Sequence, residues 1–457
     1  MAGEPDVVVV GMGPGGEELA GQLAGSGLDV VAVESRLVGG ECPYFACIPT
    51  KMMLRAAGVL AEGRRVPELA GSGEPRPHWG LVADRVWDEA TSGWDDTSAA
   101  QRFEGTGGRL VRGVARLTGP AEVSVRTGED QQVLHPRLGV ALNPGTEPAL
   151  PPVEGLKATP YWTNREAVAV REVPRSLVVL GAGPVGVEFA QVFARFGSSV
   201  TVVDGGPHVL PKSEPEAGDV LRDVFVREGV EVRTGSHATS VSHDGISFVS
   251  RLDSGEELVS ERLLVATGRR TDLGALGVGA AGLDEGAGTI AVDGRLRAAD
   301  RLWAVGDVTG RGGFTHTSVY QGRIAAADIL GLGDETADYR AMPAVTYTDP
   351  EVATVGLTEQ QARDEGIDVR TSTTEVPNTA RGWIHKAGND GVVKLVADAR
   401  RGVLVGATAA APTGGEMISG LAVAVHAAVP VAQLRQMIFA FPSFHRAFDP
   451  ALQGLHV

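Results

Sequence analysis

The chain opens on a short β-branched run, Asp6–Val10, that ends at a cluster of glycines. A run of that length and composition predicts a strand buried on both faces of a parallel sheet. Glu17–Leu28 has helical character, and Asp29–Val33 is a second β-branched run ending on Glu34. The order recurs near mid-chain. Ser176–Leu180 reads as strand, Val187–Phe196 as helix, and Ser199–Val203 as a strand ending on Asp204. Two strand–helix–strand units predict two doubly wound α/β domains. Met52–Arg64 reads as a further helix. Leu421–Ala428 is an apolar run in which His426 is expected to pack as a core histidine.

Each unit turns through glycines: Gly11-Met-Gly13-Pro-Gly-Gly16 in the first, Gly181-Ala-Gly183-Pro-Val-Gly186 in the second. The first glycine makes the tight turn and the second lets backbone approach a pyrophosphate. The third lets helix and strand pack closely, and the helix N-terminus attracts phosphate. Glu34 and Asp204 each lie 23 residues after the first glycine of their unit. There an acid accepts hydrogen bonds from ribose hydroxyls. One such motif is weak; two in the same context predict two dinucleotide sites. The second favours NAD(H) over NADP. Asp204 is followed by Gly-Gly-Pro-His, with no Arg to meet a 2′-phosphate, and its carboxylate would repel one.

The length of 457 residues allows two to four domains. Hydrophobic residues at 43% and charged residues at 21% are ordinary globular values. The net charge of −16 argues against nucleic-acid binding and against an anionic membrane surface. No apolar run is long enough to span a membrane, and the N-terminus lacks a signal-peptide pattern. The cytoplasm is the expected compartment, where a cysteine pair is more often redox-active than structural.

The only two cysteines, Cys42 and Cys47, lie together in Gly39-Gly40-Glu-Cys-Pro-Tyr-Phe-Ala-Cys-Ile-Pro-Thr-Lys51. They are either small buried hydrophobes or a redox pair. A disulfide needs Cα atoms about 4.4–6.8 Å apart, closer than a regular helix holds residues five apart. A disulfide therefore requires a distorted helix start, which Pro43 and Pro49 make accessible. A helix start lowers a thiol pKa. Lys51, one turn after Cys47, adds positive charge on the same face.

With these segments in place, the chain resembles the flavoprotein disulfide reductases, class I pyridine nucleotide-disulfide oxidoreductases of dihydrolipoamide dehydrogenase-like type. Further matching segments are Ala266-Thr-Gly268-Arg-Arg270, Trp303-Ala-Val-Gly306-Asp307, Phe314-Thr315-His316 and Thr348–Leu357. The resemblance implies an α/β fold of two Rossmann-like domains plus a C-terminal α+β dimerisation domain. It places an FAD domain at 1–150 and 271–340, an NAD(H) domain at 151–270, and an interface domain at 341–457. It assigns FAD to Gly11, Gly13, Gly16, Glu34, Gly40, Lys51, Asp307, Thr315 and His316. NAD(H) falls to Gly181, Gly183, Gly186, Glu188, Asp204 and Gly268. It implies a homodimer whose substrate pocket uses both subunits, with no metal. NADH reduces the flavin, the flavin reduces a Cys42–Cys47 disulfide, and the dithiol reduces a disulfide or other sulfur-containing small substrate. Cys47 becomes the thiol beside the flavin, Cys42 the interchange thiol, and Lys51 and Glu188 an ion pair near the flavin.

Two departures stand out. The family's reductases carry a His-Pro near the C-terminus, with a Glu five residues after the His, as proton shuttle. Here Phe441 and Arg446 stand at those positions. Phe has no titratable group and Arg stays protonated. Losing a general acid–base costs about 10²–10⁴ in rate. His445 is a local candidate to replace the base, or else an interface or surface histidine. The loss opens two alternatives: a flavin reductase of a quinone, dye or nicotinamide, and carbon–sulfur cleavage of the ketopropyl-coenzyme M carboxylase type, which also has Phe there. The second departure is the crossover Ala141–Pro148, longer than usual and containing Pro144, with no expected effect on chemistry. No cysteine follows Cys47, so the C-terminal thiols of mercuric reductase are missing.

Overall fold

The computed structural model describes residues 4–457, which fall into two compact units. The first comprises the chain up to Pro49, Arg85–Ala149 and Arg269–Asp338; the second comprises Thr50–Asp84, Leu150–Gly268 and Tyr339–Val457.

The first unit is built on a six-stranded sheet. Its order is Arg297–Ala299, Leu302–Ala304, Gly139–Leu142, Val7–Val10, Val30–Glu34 and Arg109–Arg112. The five strands from Leu302–Ala304 to Arg109–Arg112 run parallel. Val7–Val10 lies at the centre, with Val7 opposite both Val30 and Gly139. Its four consecutive valines are all buried because both faces are covered. Val7 and Val9 pack with Leu19 and Leu23 of the helix Pro14–Gly25. Val8 and Val10 pack with Leu117, Val123 and Val125 of a three-stranded antiparallel sheet. Burying each such side chain contributes roughly 1.5–3 kcal/mol. The first helix begins earlier than the sequence pattern suggested, because Pro14 suits the first turn, where no N–H is needed.

The second unit contains a four-stranded parallel sheet in the order Glu231–Thr234, Ser199–Asp204, Ser176–Leu180 and Arg262–Val265. Here too the helix starts at a proline, running Pro184–Arg195. A five-stranded antiparallel sheet orders Pro343–Thr346, Glu351–Gly356, Val403–Ala411, Val392–Asp398 and Val369–Glu375. Two of its three inner strands, Val392–Asp398 and Val403–Ala411, are buried throughout. Helix Gly414–His426 covers it with Met417, Ile418, Leu421, Ala424 and Val425. His426 falls outside that stripe and is exposed, so it is not the core histidine that its apolar neighbours suggested.

A lysine lies inside this sheet. Lys394 is buried and pairs with Glu214 at 2.9 Å and with Glu216 and Glu359 at 2.8 Å. Burial opposes its charge, but the three carboxylates outweigh that and hold its pKa above the ordinary lysine value. Among the described residues, no helix is long and apolar enough to cross a membrane.

Candidate active site

The two glycine turns repeat one design. Gly11 and Gly181 adopt φ of +91° and +110°, where a side chain would be strained. A Cβ at either would also collide with a neighbouring carbonyl, that of Asn143 or of Ala266. A Cβ on Gly16 or Gly186 would strike the carbonyl of the first glycine of its own turn. Around Gly183, by contrast, the space is open within 4 Å. The first and third glycines are thus demanded by the protein's own packing, whereas Gly183 leaves room for a ligand to approach the backbone; a Cβ on Gly13 would come within 3.2 Å of the Asn143 side-chain amide.

The strand-end acids brace these turns. The N–H groups of Met12 and Arg36 donate to the two oxygens of Glu34, both at 2.7 Å. The N–H groups of Ala182 and Gly206 donate to the two oxygens of Asp204, both at 2.6 Å. A carboxylate accepts about four hydrogen bonds, so each retains capacity for ribose hydroxyls. This bracing was not read from the sequence, although the equal spacing of the acids is its signature. Asn143 adds a clasp to the first turn. Its amide oxygen accepts from Gly16 N–H at 3.0 Å and its amide nitrogen donates to the Val305 carbonyl at 3.2 Å.

The cysteine segment follows. Gly40 has φ +66°, and a Cβ there would approach Gly13 Cα to 2.9 Å, so two glycine backbones meet at the first cradle. Cys42 lies in a one-turn helix, Glu41–Phe45. Ala46 then breaks the helix with φ −134° and ψ −103°, and a new helix, Cys47–Leu69, starts at the second cysteine. The helix expected at Met52–Arg64 is therefore longer at both ends. Pro43 and Pro49 each occupy a first turn, where proline is tolerated. Both cysteines are half-buried. Cys47 Sγ lies 3.4 Å from Thr315 Oγ1, at the first residue of helix Thr315–Ile329. Cys47 thus has two helix N-termini beside it, its own and that of Thr315, and both favour a thiolate. Phe45, between the cysteines, stacks on Trp94 with ring centroids 6.3 Å apart. His316 is exposed and stacks on Phe314 at 5.2 Å.

Asp307 begins a single helical turn after strand Leu302–Ala304 and is half-buried. It accepts a hydrogen bond from Thr146, in the crossover that the sequence marked as unusual. That crossover forms a short strand, Glu147–Pro148, paired with Arg269–Arg270. Gly268 turns with φ +122° in open space.

In the second unit, Lys51 Nζ donates to both oxygens of Glu188, at 2.8 and 3.1 Å. Glu188 is 5% exposed, so it is a buried partner rather than a solvated helix acid. Tyr347 N–H donates to it at 2.9 Å, and the Lys51 ammonium lies 4.9 Å from the Tyr347 ring centroid. Tyr347 was not foreseen, since it is distant in sequence and carries no motif.

The C-terminal segment of the same unit holds the first departure, Phe441 and Arg446. Phe441 is 69% exposed, with the Arg446 guanidinium 5.4 Å from its ring centroid. Arg446 also lies 3.5 Å from Asp449. The His445 ring sits 5.8 Å from that of Phe439. A cleft of about 650 Å³ beside them is lined by Arg381, Ser443, Arg446 and Asp449 among others. An aromatic ring and a guanidinium thus stand where an acid–base pair is expected.

The sequence matches the family described as pyridine nucleotide-disulphide oxidoreductase over residues 5–322, and its dimerisation domain over residues 342–452. The chain belongs to this family. Within the family, dihydrolipoyl dehydrogenase from Thermus scotoductus is 34% identical over 470 residues, spanning 99% of this chain and 97% of its own. Mercuric reductase from Acidithiobacillus ferrooxidans is 33% identical over 447 residues, spanning 96% and 80%. The Cu(II) complex of the HOCl-induced flavoprotein disulfide reductase RclA from Escherichia coli superposes with a TM-score of 0.86 at 27% identity, covering 99% of each chain. LpdA from Mycobacterium tuberculosis superposes with a TM-score of 0.85 at 25% identity, covering 98% of each.

As a pyridine nucleotide-disulphide oxidoreductase, the protein is an FAD-dependent enzyme linked to NAD(P)H, and its dimerisation domain supports a homodimer. Its residues fit FAD. The first cradle offers the bare glycine backbones of Gly13 and Gly40, a helix N-terminus, and the braced acid Glu34.

Proposed function

We propose that this chain carries two electrons from NADH, through FAD, to a Cys42–Cys47 disulfide and on to a disulfide or other sulfur-containing small molecule. The broken helix between the cysteines carries this reading. It sets Cys42 and Cys47 on separate turns, as a reversible disulfide requires. The assignment places FAD in 1–150 and 271–340, the nicotinamide in 151–270, and the dimer interface in 341–457, in a cytoplasmic homodimer. NADH is preferred because Asp204, fixed by two backbone donors, keeps negative charge where a 2′-phosphate would lie.

FAD, when bound, supplies two-electron transfer between the nicotinamide and the cysteines. Gly11, Gly13, Gly16, Glu34, Gly40, Asp307, Thr315 and His316 would hold it. Lys51, held by Glu188, keeps positive charge one helical turn after Cys47. Two electrons break the S–S bond and leave Cys47 as thiolate and Cys42 ready to deprotonate. The Cys42 thiolate attacks a substrate sulfur, forms a mixed disulfide and expels the first thiol. The Cys47 thiolate then displaces the second and re-forms the internal disulfide. One disulfide, one NADH and one proton yield two thiols and NAD⁺. The expelled thiolate needs a proton that Phe441 cannot supply, and His445, four residues along the chain, is the candidate to supply it.

Phe441 favours a second reading, in which the acceptor needs no proton. A thiol-binding metal ion fits, in line with a relative named mercuric reductase and a structural neighbour solved with Cu(II), although Cys42 and Cys47 alone would have to receive it, the C-terminal thiols being absent here. Steady-state NADH oxidation against lipoamide, small disulfides, quinones and Hg(II) or Cu(II) salts separates the cases. The expected result is turnover of a sulfur acceptor, with NADH preferred over NADPH by about tenfold or more, equivalent to about 1.4 kcal/mol. Turnover of metal ions alone selects the second reading, and turnover of quinones alone overturns both.

A further inference from the structure

We infer that Thr146 and Arg269 are positioning residues for FAD, acting through Asp307: together they reserve one carboxylate oxygen of Asp307 for the protein and leave the other to the flavin. This rests on the assignment of Asp307 to the flavin.

The hydrogen bonds have a forced direction. Arg269 Nε lies 2.7 Å from Thr146 Oγ1, and its terminal nitrogen donates to the Thr146 carbonyl. A guanidinium only donates, so the Thr146 hydroxyl must accept from it. The single hydroxyl proton is then aimed at Asp307 Oδ2, 2.7 Å away. Among the described residues, Asp307 Oδ1 has no hydrogen-bond partner. The protein thus occupies one oxygen and presents the other.

The surrounding backbone supports the relay. Arg269 pairs with Pro148 in the two-stranded ladder, which fixes it over the crossover. Thr271 Oγ1 donates to the Gly145 carbonyl at 2.9 Å, a second tie across the same gap. The terminal nitrogen that donates to the Thr146 carbonyl also lies 3.7 Å from a carboxylate oxygen of Glu41, the residue before Cys42. One arginine therefore braces both the flavin-holding acid and the cysteine segment. The unusual crossover Ala141–Pro148, which had no evident chemical role in the sequence, supplies the threonine.

The test titrates FAD into apo-protein and follows flavin fluorescence, with wild type, Thr146→Val, Thr146→Ser, Arg269→Met and Asp307→Ala compared. Thr146→Val and Arg269→Met should each raise the FAD dissociation constant by about tenfold, the worth of one hydrogen bond to a charged group. Thr146→Ser should restore wild-type binding, because it returns the hydroxyl, and Asp307→Ala should weaken binding at least as much as Thr146→Val. If Thr146→Val binds FAD like wild type while Asp307→Ala does not, the relay is wrong and the flavin assignment stands. If Thr146→Ser fails to rescue, the threonine acts only through the crossover's shape, and the relay is again wrong. If Asp307→Ala binds normally, the flavin assignment and the relay fall together.

Discussion

Cys42→Ser abolishes turnover of a sulfur acceptor while NADH-dependent dye reduction continues. The expected fall is about 10⁴-fold or more, the scale seen when a reacting group is deleted. The two cysteines are not equivalent. Cys47 heads the long helix that carries Lys51, and its sulfur lies 3.4 Å from Thr315 at a second helix N-terminus. Those surroundings favour a thiolate held in place. Cys42 sits on an isolated turn ahead of the break at Ala46. We therefore propose it as the thiol that meets the substrate, so its loss should leave the route from nicotinamide to flavin intact. Parallel assays with a disulfide and with a dye check this. Loss of both activities would remove Cys42 from the outer position, and loss of neither would remove the cysteines from the electron path.

Lys394→Met destabilises the protein by about 3–5 kcal/mol, the range for breaking a buried ion pair on one side. The lysine side chain is 5% exposed and touches three carboxylates, and Glu214 beside it is 3% exposed. Removing the ammonium strands buried negative charge, whereas a surface pair would cost little. The pH dependence has a definite sign. The folded pKa of Lys394 is raised, so its stabilisation is complete below the ordinary value of 10.5 and is lost only as pH rises through the folded value. The gap between wild type and variant should therefore persist at neutral pH and narrow in strong alkali. Denaturant unfolding at neutral and alkaline pH measures it. A difference under about 1 kcal/mol at neutral pH would mean that the cluster is solvated and contributes as a surface pair does.

The parts of the site legible in the sequence are those with local signatures. The two glycine turns announce themselves because the glycines recur at fixed local spacing, and the third of each answers the carbonyl of the first, as at Gly16 and Gly11. The need for a distorted helix start follows from the five-residue spacing of the cysteines, although only the structure places the break at Ala46. Contacts between distant segments leave no such mark. Thr146 meets Asp307 across 161 residues, and Tyr347 meets Glu188 across 159. His426 shows the opposite failure. Its apolar neighbours read as core, but the helical period turns residue 426 away from the stripe that Leu421 and Val425 bury. The Phe441 departure is visible only against the family pattern, since nothing in an exposed phenylalanine by itself marks a missing base.

The central claim is that electrons pass through Cys42 and Cys47. Anaerobic titration of the FAD-loaded wild type with NADH tests it most directly. One equivalent should produce a long-wavelength absorbance from a thiolate beside the flavin, together with two newly reactive thiols. Direct bleaching of the flavin, with no such band and no new thiols, would contradict the account.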